Sequence, residues 1–196
     1  MLRQRDKDIL KHIENYKAIT IYQAYRMFYN TSKFGYDQSK KRLKDFEDLG
    51  LLKSYKEKIT GQKVYYMEHQ VSLHDLYVLD FYSMLYFTGC NNIELIKTPR
   101  YLNNMIIPDA FFKFQFRENL YFLLLEVDFT HQTNMSKFQM YEKLFREGTL
   151  QKECYNTFPV IVVMSNSTNI RYESNNFDVI YIDFSMSNFN HKILCI

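Results

Sequence analysis

Residues 36–67 constrain the fold of this chain more than any other stretch. The first half, YDQSKKRLKDFEDL, places Ser39, Leu43, Phe46 and Leu49 on one face at helical spacing. Gly50 follows as a left-handed stop. The second half, LLKSYKEKITGQKVYYM, alternates Tyr and Val with polar residues around a Thr60-Gly61 turn, which predicts a hairpin. Upstream, Ile9, Leu10 and Ile13 predict a first helix over residues 6–16. Thr20 then caps a second helix that turns Ala24, Met27 and Phe28 inward, and residues 30–34 read as a turn.

Charge is divided unevenly along the chain. Residues 1–70 carry 15 Lys/Arg against 9 Asp/Glu, a net of +6, while residues 71–196 carry 10 against 13, a net of −3. A basic module joined to a mildly acidic one suits a nucleic-acid-binding part with an attached second domain. On the third helix the outward residues are Gln38, Lys40, Lys41 and Lys44, with Arg42 to one side. The hairpin projects Lys53, Lys56, Lys58 and Lys63. Lysines on a solvated helix face need do nothing more than solvate it, and small helical domains also bind proteins. Basic charge on both the helix and the hairpin favours double-stranded DNA as partner, with no cofactor required for that binding. The order helix, helix, basic helix, basic hairpin over residues 5–68 resembles the winged-helix superfamily.

Residues 72–89 form a helix capped by Ser72 with Asp75 three residues on, apolar around most of its circumference. Such a helix is expected between two domains or between two copies in a homodimer. Beyond it, IIPDAFFKFQF, a turn at Arg117-Glu118-Asn119 and LYFLLLEVDFT predict a hairpin whose second strand is fully buried. A helix over 136–147 and strands over 158–165 and 179–184 complete the reading. The chain thus divides into 1–70, a linking helix at 71–92, and 93–196, in the α+β class.

The second domain carries a chemical constellation. Asp109 follows Pro108 at the start of the hairpin, and Glu126 and Asp128 share one face at the end of its second strand. Three carboxylates converging on one spot repel unless a divalent cation or ammonium groups neutralise them. Pro108-Asp109 and Glu126 resemble the PD-(D/E)xK nuclease superfamily, whose fold, in degenerate form, is the expectation for 93–196. The pattern departs at Asp128, where that superfamily has lysine. Lys137 on the following helix, with Tyr141 one turn on and His131 near the strand end, offers polar groups from another direction. On this resemblance Asp109, Glu126 and Asp128 would hold Mg²⁺ and Lys137 would assist catalysis. The plainer alternative is that strand-end acids cap the next helix or pair with nearby cations.

The whole arrangement, with IIPDAFF, LLLEVDFT and KFQMY, resembles the replication-relaxation family of plasmids and mobile elements of low-GC Gram-positive bacteria. The matching positions are Pro108, Asp109, Ala110, Glu126, Asp128, Thr130, Lys137 and Tyr141, with Phe129 where that family has a small residue. The resemblance implies a role in replication, DNA relaxation or mobilisation alongside replication or transfer proteins. Three functions compete: a non-catalytic DNA-binding protein, a Mg²⁺-dependent nicking endonuclease, and a transcriptional regulator. The balance leans away from an enzyme. A relaxase tyrosine ranks last, because no His-x-His motif accompanies any tyrosine. Cys90, Cys154 and Cys195 make no ligand-like pair, the N-terminus lacks an apolar leader, and the apolar runs are of strand length. Those features predict reduced thiols in a cytoplasmic protein without a membrane segment.

Overall fold

The computed structural model describes residues 2–129, 134–167 and 171–194. The chain is α+β and forms two compact units, Met1–Gly89 and Cys90–Ile196.

Unit 1 begins with α1 (Gln4–Tyr16), whose third residue, Asp6, accepts a hydrogen bond from the Arg3 backbone N–H at 2.7 Å. Lys17, at φ 77°, ends the helix and releases the chain into β1 (Ala18–Thr20). That strand was not foreseen, since KAIT reads only as a helix approach. Thr20 nonetheless acts as the expected cap of α2 (Ile21–Ala24): its Oγ1 accepts from the Gln23 N–H, and Gln23 Oε1 accepts from the Thr20 N–H. The helix runs on as a π-helical turn over Tyr25–Tyr29. This turn buries Tyr29 and leaves Met27 and Phe28 only half-buried.

Helix α3 (Gly35–Asp48) buries Ser39, Leu43 and Phe46 as expected. Leu49 is a correction, because it is 67% exposed. The reason is the stop itself. Gly50 turns the chain at φ 72°, Leu51 and Leu52 donate their N–H groups to the Phe46 carbonyl, and Leu52 takes the inward place instead. Gly35 is required by close approach. A Cβ there would lie 2.1 Å from the Tyr29 carbonyl oxygen and 3.0 Å from the Tyr25 ring. Gly35→Ala is therefore expected to cost about 1–3 kcal/mol as overpacking, read as a lower melting temperature. A melt matching the parent chain would refute that packing.

Strands β2 (Lys53–Lys56) and β3 (Lys63–Tyr66) form the expected hairpin, and β1 joins β3 to give an antiparallel sheet in the order β1-β3-β2. Helix α4 (Leu73–Phe87) is capped by Ser72, whose Oγ accepts from the Asp75 N–H at 3.0 Å. It belongs to unit 1 rather than to a separate linker. Gln23 donates to the Leu76 carbonyl and to Asp80, and Arg26 donates to Ser83 Oγ. Those bonds fasten α4 to α2 and the π-helical turn. Most of its apolar residues, including Leu76, Leu79, Phe81 and Leu85, are buried within the single chain.

Unit 2 is built on a five-stranded sheet in the order β4-β5-β6-β7-β8. Strands β4 (Asn91–Lys97), β5 (Ala110–Phe116) and β6 (Asn119–Asp128) are antiparallel. Strands β7 (Val160–Ser165) and β8 (Val179–Ile182) follow parallel to β6. Between β6 and β7 the chain crosses over through α5 (Met135–Glu147) and α6 (Thr149–Glu153). As expected, β6 is buried on both faces from Phe122 to Val127. Strand β4 was unforeseen. Its residues alternate only between exposed and half-buried, so it leaves no apolar period to read. Phe122 and Leu124 of β6 pack with Phe138, Tyr141 and Leu144 of α5, which sets the face on which the acidic site is built. Cys90 and Cys154 are buried and are not joined in a disulfide; Cys195 lies outside the described residues.

Candidate nucleic-acid interface and acidic site

The outward residues of α3 fall into two flanks and a crest, because 3.6 residues complete each turn. On the hairpin flank, Glu47 accepts from Lys63 Nζ at 2.8 Å and from Ser54 Oγ at 2.5 Å. Lys63 first, then Ser54, hold the Glu47 carboxyl down to about 2 against the opposing effect of burial. Lys44 is paired with Glu47 at 3.2 Å and with Asp48 at 2.7 Å. On the α1 flank, Arg42 grips Asp6 in bidentate fashion, Nε to Oδ1 at 2.7 Å and NH2 to Oδ2 at 2.6 Å. Its guanidinium also lies 4.6 Å from the centre of the Phe46 ring.

The eight cationic or polar residues expected at the interface therefore separate. Arg42 braces α1 against α3, and Lys63 braces the hairpin against α3. Lys44 is exposed but engaged by two carboxylates of its own helix. Gln38, Lys40, Lys41, Lys56 and Lys58 are exposed, and none of these lysines enters an ion pair among the described residues.

Two features of this surface lacked a sequence signal strong enough to mark them. Tyr22 and Tyr36 are exposed and meet in a tilted pair, ring centres 4.9 Å apart and planes at 49°, at the starts of α2 and α3. Glu57 organises the hairpin turn: its carboxylate accepts from the N–H groups of Ile59 and Thr60 and from Thr60 Oγ1. Burial works to raise the Glu57 pKa, and the turn donors outweigh it and lower the value. The turn that carries Lys58 is thereby held in one conformation.

In unit 2 the site forms where β6 meets α5. The side chain of Asn134 caps α5 by accepting from the Lys137 N–H at 2.9 Å, which starts the helix so that Lys137 and Tyr141, four residues apart, share a face. Both reach Glu126. Lys137 Nζ donates to Oε2 at 2.5 Å, and the Tyr141 hydroxyl donates to Oε1. Glu126 is 1% exposed. Burial pushes its carboxyl up to about 7; the Lys137 charge opposes this, the Asp109 charge adds to it, and the bonds from Lys137 and Tyr141 oppose it.

The hairpin register pairs Ala110 with Leu125, so Asp109 falls at the next rung, beside Glu126. There Asp109 Oδ2 accepts from the Val127 N–H at 2.7 Å. Asp128 is half-buried at the end of β6, opposite Ser165, and its charge acts on Tyr181. His131 and Thr130 lie outside the described residues.

Both oxygens of Glu126 are thus taken by protein donors. Among the described residues no group of three or more His, Cys, Asp or Glu side chains is placed to hold a metal ion. What the described residues form here is a desolvated carboxylate clasped by an ammonium and a phenol. A second clasp was invisible in sequence. Glu142 of α5 accepts from Tyr172 Oη at 2.8 Å, Ser174 Oγ at 2.6 Å and Asn176 Nδ2 at 2.6 Å. It ties residues 172–176 to the helix that supplies Lys137 and Tyr141.

Among the described residues no helix is long and apolar enough to cross a membrane. Comparison of the chain with protein-family models, with curated proteins and with solved structures finds no match.

Proposed function

We propose that unit 1 is a winged-helix module that binds double-stranded DNA. In this reading α3 lies in the major groove and the β2–β3 hairpin is the wing. The observation that carries it is the run of exposed cations without an ion pair among the described residues, Lys40 and Lys41 on α3 and Lys56 and Lys58 on the hairpin, on adjacent elements of one sheet-and-helix unit. The element order and the β1-β3-β2 sheet support the winged-helix reading. Unit 2 would be a degenerate PD-(D/E)xK-like domain, supported by three antiparallel strands followed through a helical crossover by a parallel one. Following the family resemblance, the chain would act on a mobile element in replication, DNA relaxation or mobilisation.

The test is binding of the full chain to labelled duplexes, parent against Lys40→Glu/Lys41→Glu. The doubly reversed chain is expected to bind about 100-fold more weakly at 100 mM salt, with an unchanged melt. Equal binding would show that α3 is not the contacting helix. In the same mixtures, supercoiled plasmid with Mg²⁺ is expected to keep its topology. Metal-dependent open circles that vanish in Glu126→Ala would instead make the chain a nicking enzyme.

A further inference from the structure

Unit 1 has a cleft of about 780 Å³ between the first turn of α1 and the α1 flank of α3. Four cations line it, Arg3, Arg5, Lys41 and Arg42, against two carboxylates, Asp6 and Asp45. Both carboxylates are already committed to Arg42, which meets Asp6 at 2.6 Å and Asp45 at 3.5 Å. That internal triad leaves Arg3, Arg5 and Lys41 without an ion pair among the described residues. Arg5 is also held in place, with its guanidinium 4.5 Å from the centre of the Tyr29 ring on the cleft wall. An arginine fixed on an aromatic face loses less side-chain entropy when it takes an anion.

We propose that this cleft seats the DNA backbone: Arg3 and Arg5 each neutralise a phosphodiester flanking the groove entered by α3, with Lys41 at the rim joining the two contact areas. The proposal rests on the reading of unit 1 as a DNA-binding module. Phosphodiesters suit the cleft because it is open and its excess cations come from two elements. Arg5 is a planar donor of the kind that recognises phosphate oxygens. The inference extends the contact surface to a second helix that the residue pattern of α1 did not mark. It also gives the Asp6–Arg42 bridge a purpose. Four cations against two carboxylates make the cleft net positive, and the bridges from Arg42 keep Asp6 and Asp45 from pairing with Arg3, Arg5 or Lys41.

The test uses the full chain and mixed-sequence duplexes between 50 and 300 mM KCl, with the slope of log K against log salt as readout. Arg3→Gln/Arg5→Gln is expected to make that slope shallower by about 1.8, one counterion release of about 0.9 for each lost phosphate contact. Affinity should fall by the same factor on every duplex, because phosphate contacts carry no sequence information. Arg3→Lys/Arg5→Lys, which keeps the charges, should recover most of the slope and so separate charge from packing on Tyr29. A parent slope retained in the Gln variant overturns the proposal, as does a loss confined to one sequence. If the parent chain itself binds no duplex, the DNA reading of unit 1 falls as well, so the two failures are distinguishable.

Discussion

Lowering the pH from 6.5 towards 4 is expected to remove about 3 kcal/mol from unit 1 through His12 alone. His12 is 6% exposed, and its Nε2 finds no hydrogen-bond partner among the described residues. Three aromatic rings surround it, Tyr16 at 4.9 Å, Tyr82 at 5.9 Å and Phe28 at 6.2 Å between centres. Burial pulls its pKa from 6.5 down to about 4. Between those values the unfolded chain binds a proton that the folded chain refuses. The stabilising contribution is therefore whole above pH 6.5 and drains away as the pH falls to about 4. Asp80 in the same unit works in the other direction, since burial raises its carboxyl to about 6. The informative quantity is thus the difference between the parent and His12→Leu, measured as amide-exchange protection of unit 1 peptides across this range. That difference should shrink by about 3 kcal/mol towards acid. A difference independent of pH would mean that His12 is solvated or paired.

Unit 2 should respond to its own buried acid with the opposite sign. Glu126 titrates near 7 in the folded chain against 4.5 unfolded, chiefly because burial penalises its charged form. A raised folded value means that the contribution is fully present below pH 4.5 and is lost as the pH climbs through about 7. The integrated change is about 3 kcal/mol. Lys137 Nζ is the cation that faces the carboxylate, Asp109 is the neighbouring anion, and the Tyr141 hydroxyl stays protonated because burial and Glu126 both raise its pKa. Glu126→Gln keeps the shape and removes the titration. Exchange protection of unit 2 peptides in the parent should fall between pH 4.5 and 7.5 relative to this variant. Parallel curves for the two proteins would show that Lys137 already compensates the buried charge in full.

These two responses come from residues of very different visibility in the sequence. Glu126 stands out, because an acid inside LLLEVDF conflicts with its apolar surroundings. Its partner Lys137 was a candidate on the strength of its place on the next helix. His12 showed nothing of the kind, because HIENY reads as an ordinary polar stretch of an amphipathic helix. Its burial depends on Tyr82, seventy residues on, closing over it. The same holds for the interface. Lys40, Lys41, Arg42, Lys44 and Lys63 look alike along the chain. The fold spends Arg42 on Asp6 and Lys63 on Glu47, and leaves Lys40 and Lys41 exposed.

Local periodicity and capping chemistry were enough for the helices of unit 1, the hairpin after Gly50, the cap at Ser72 and the buried strand β6. Those features arise from residues within a few positions of one another, where spacing dictates geometry. Strands β1 and β4 escaped because a short or half-exposed strand is defined by the partner it pairs with. Only the tertiary structure decided which charges are spent on internal bridges, which face the solvent, and that both Glu126 oxygens are occupied. Those outcomes depend on side chains 11 to 57 positions apart meeting within hydrogen-bond distance. No window of sequence contains that distance, because it is set by the packing of whole elements.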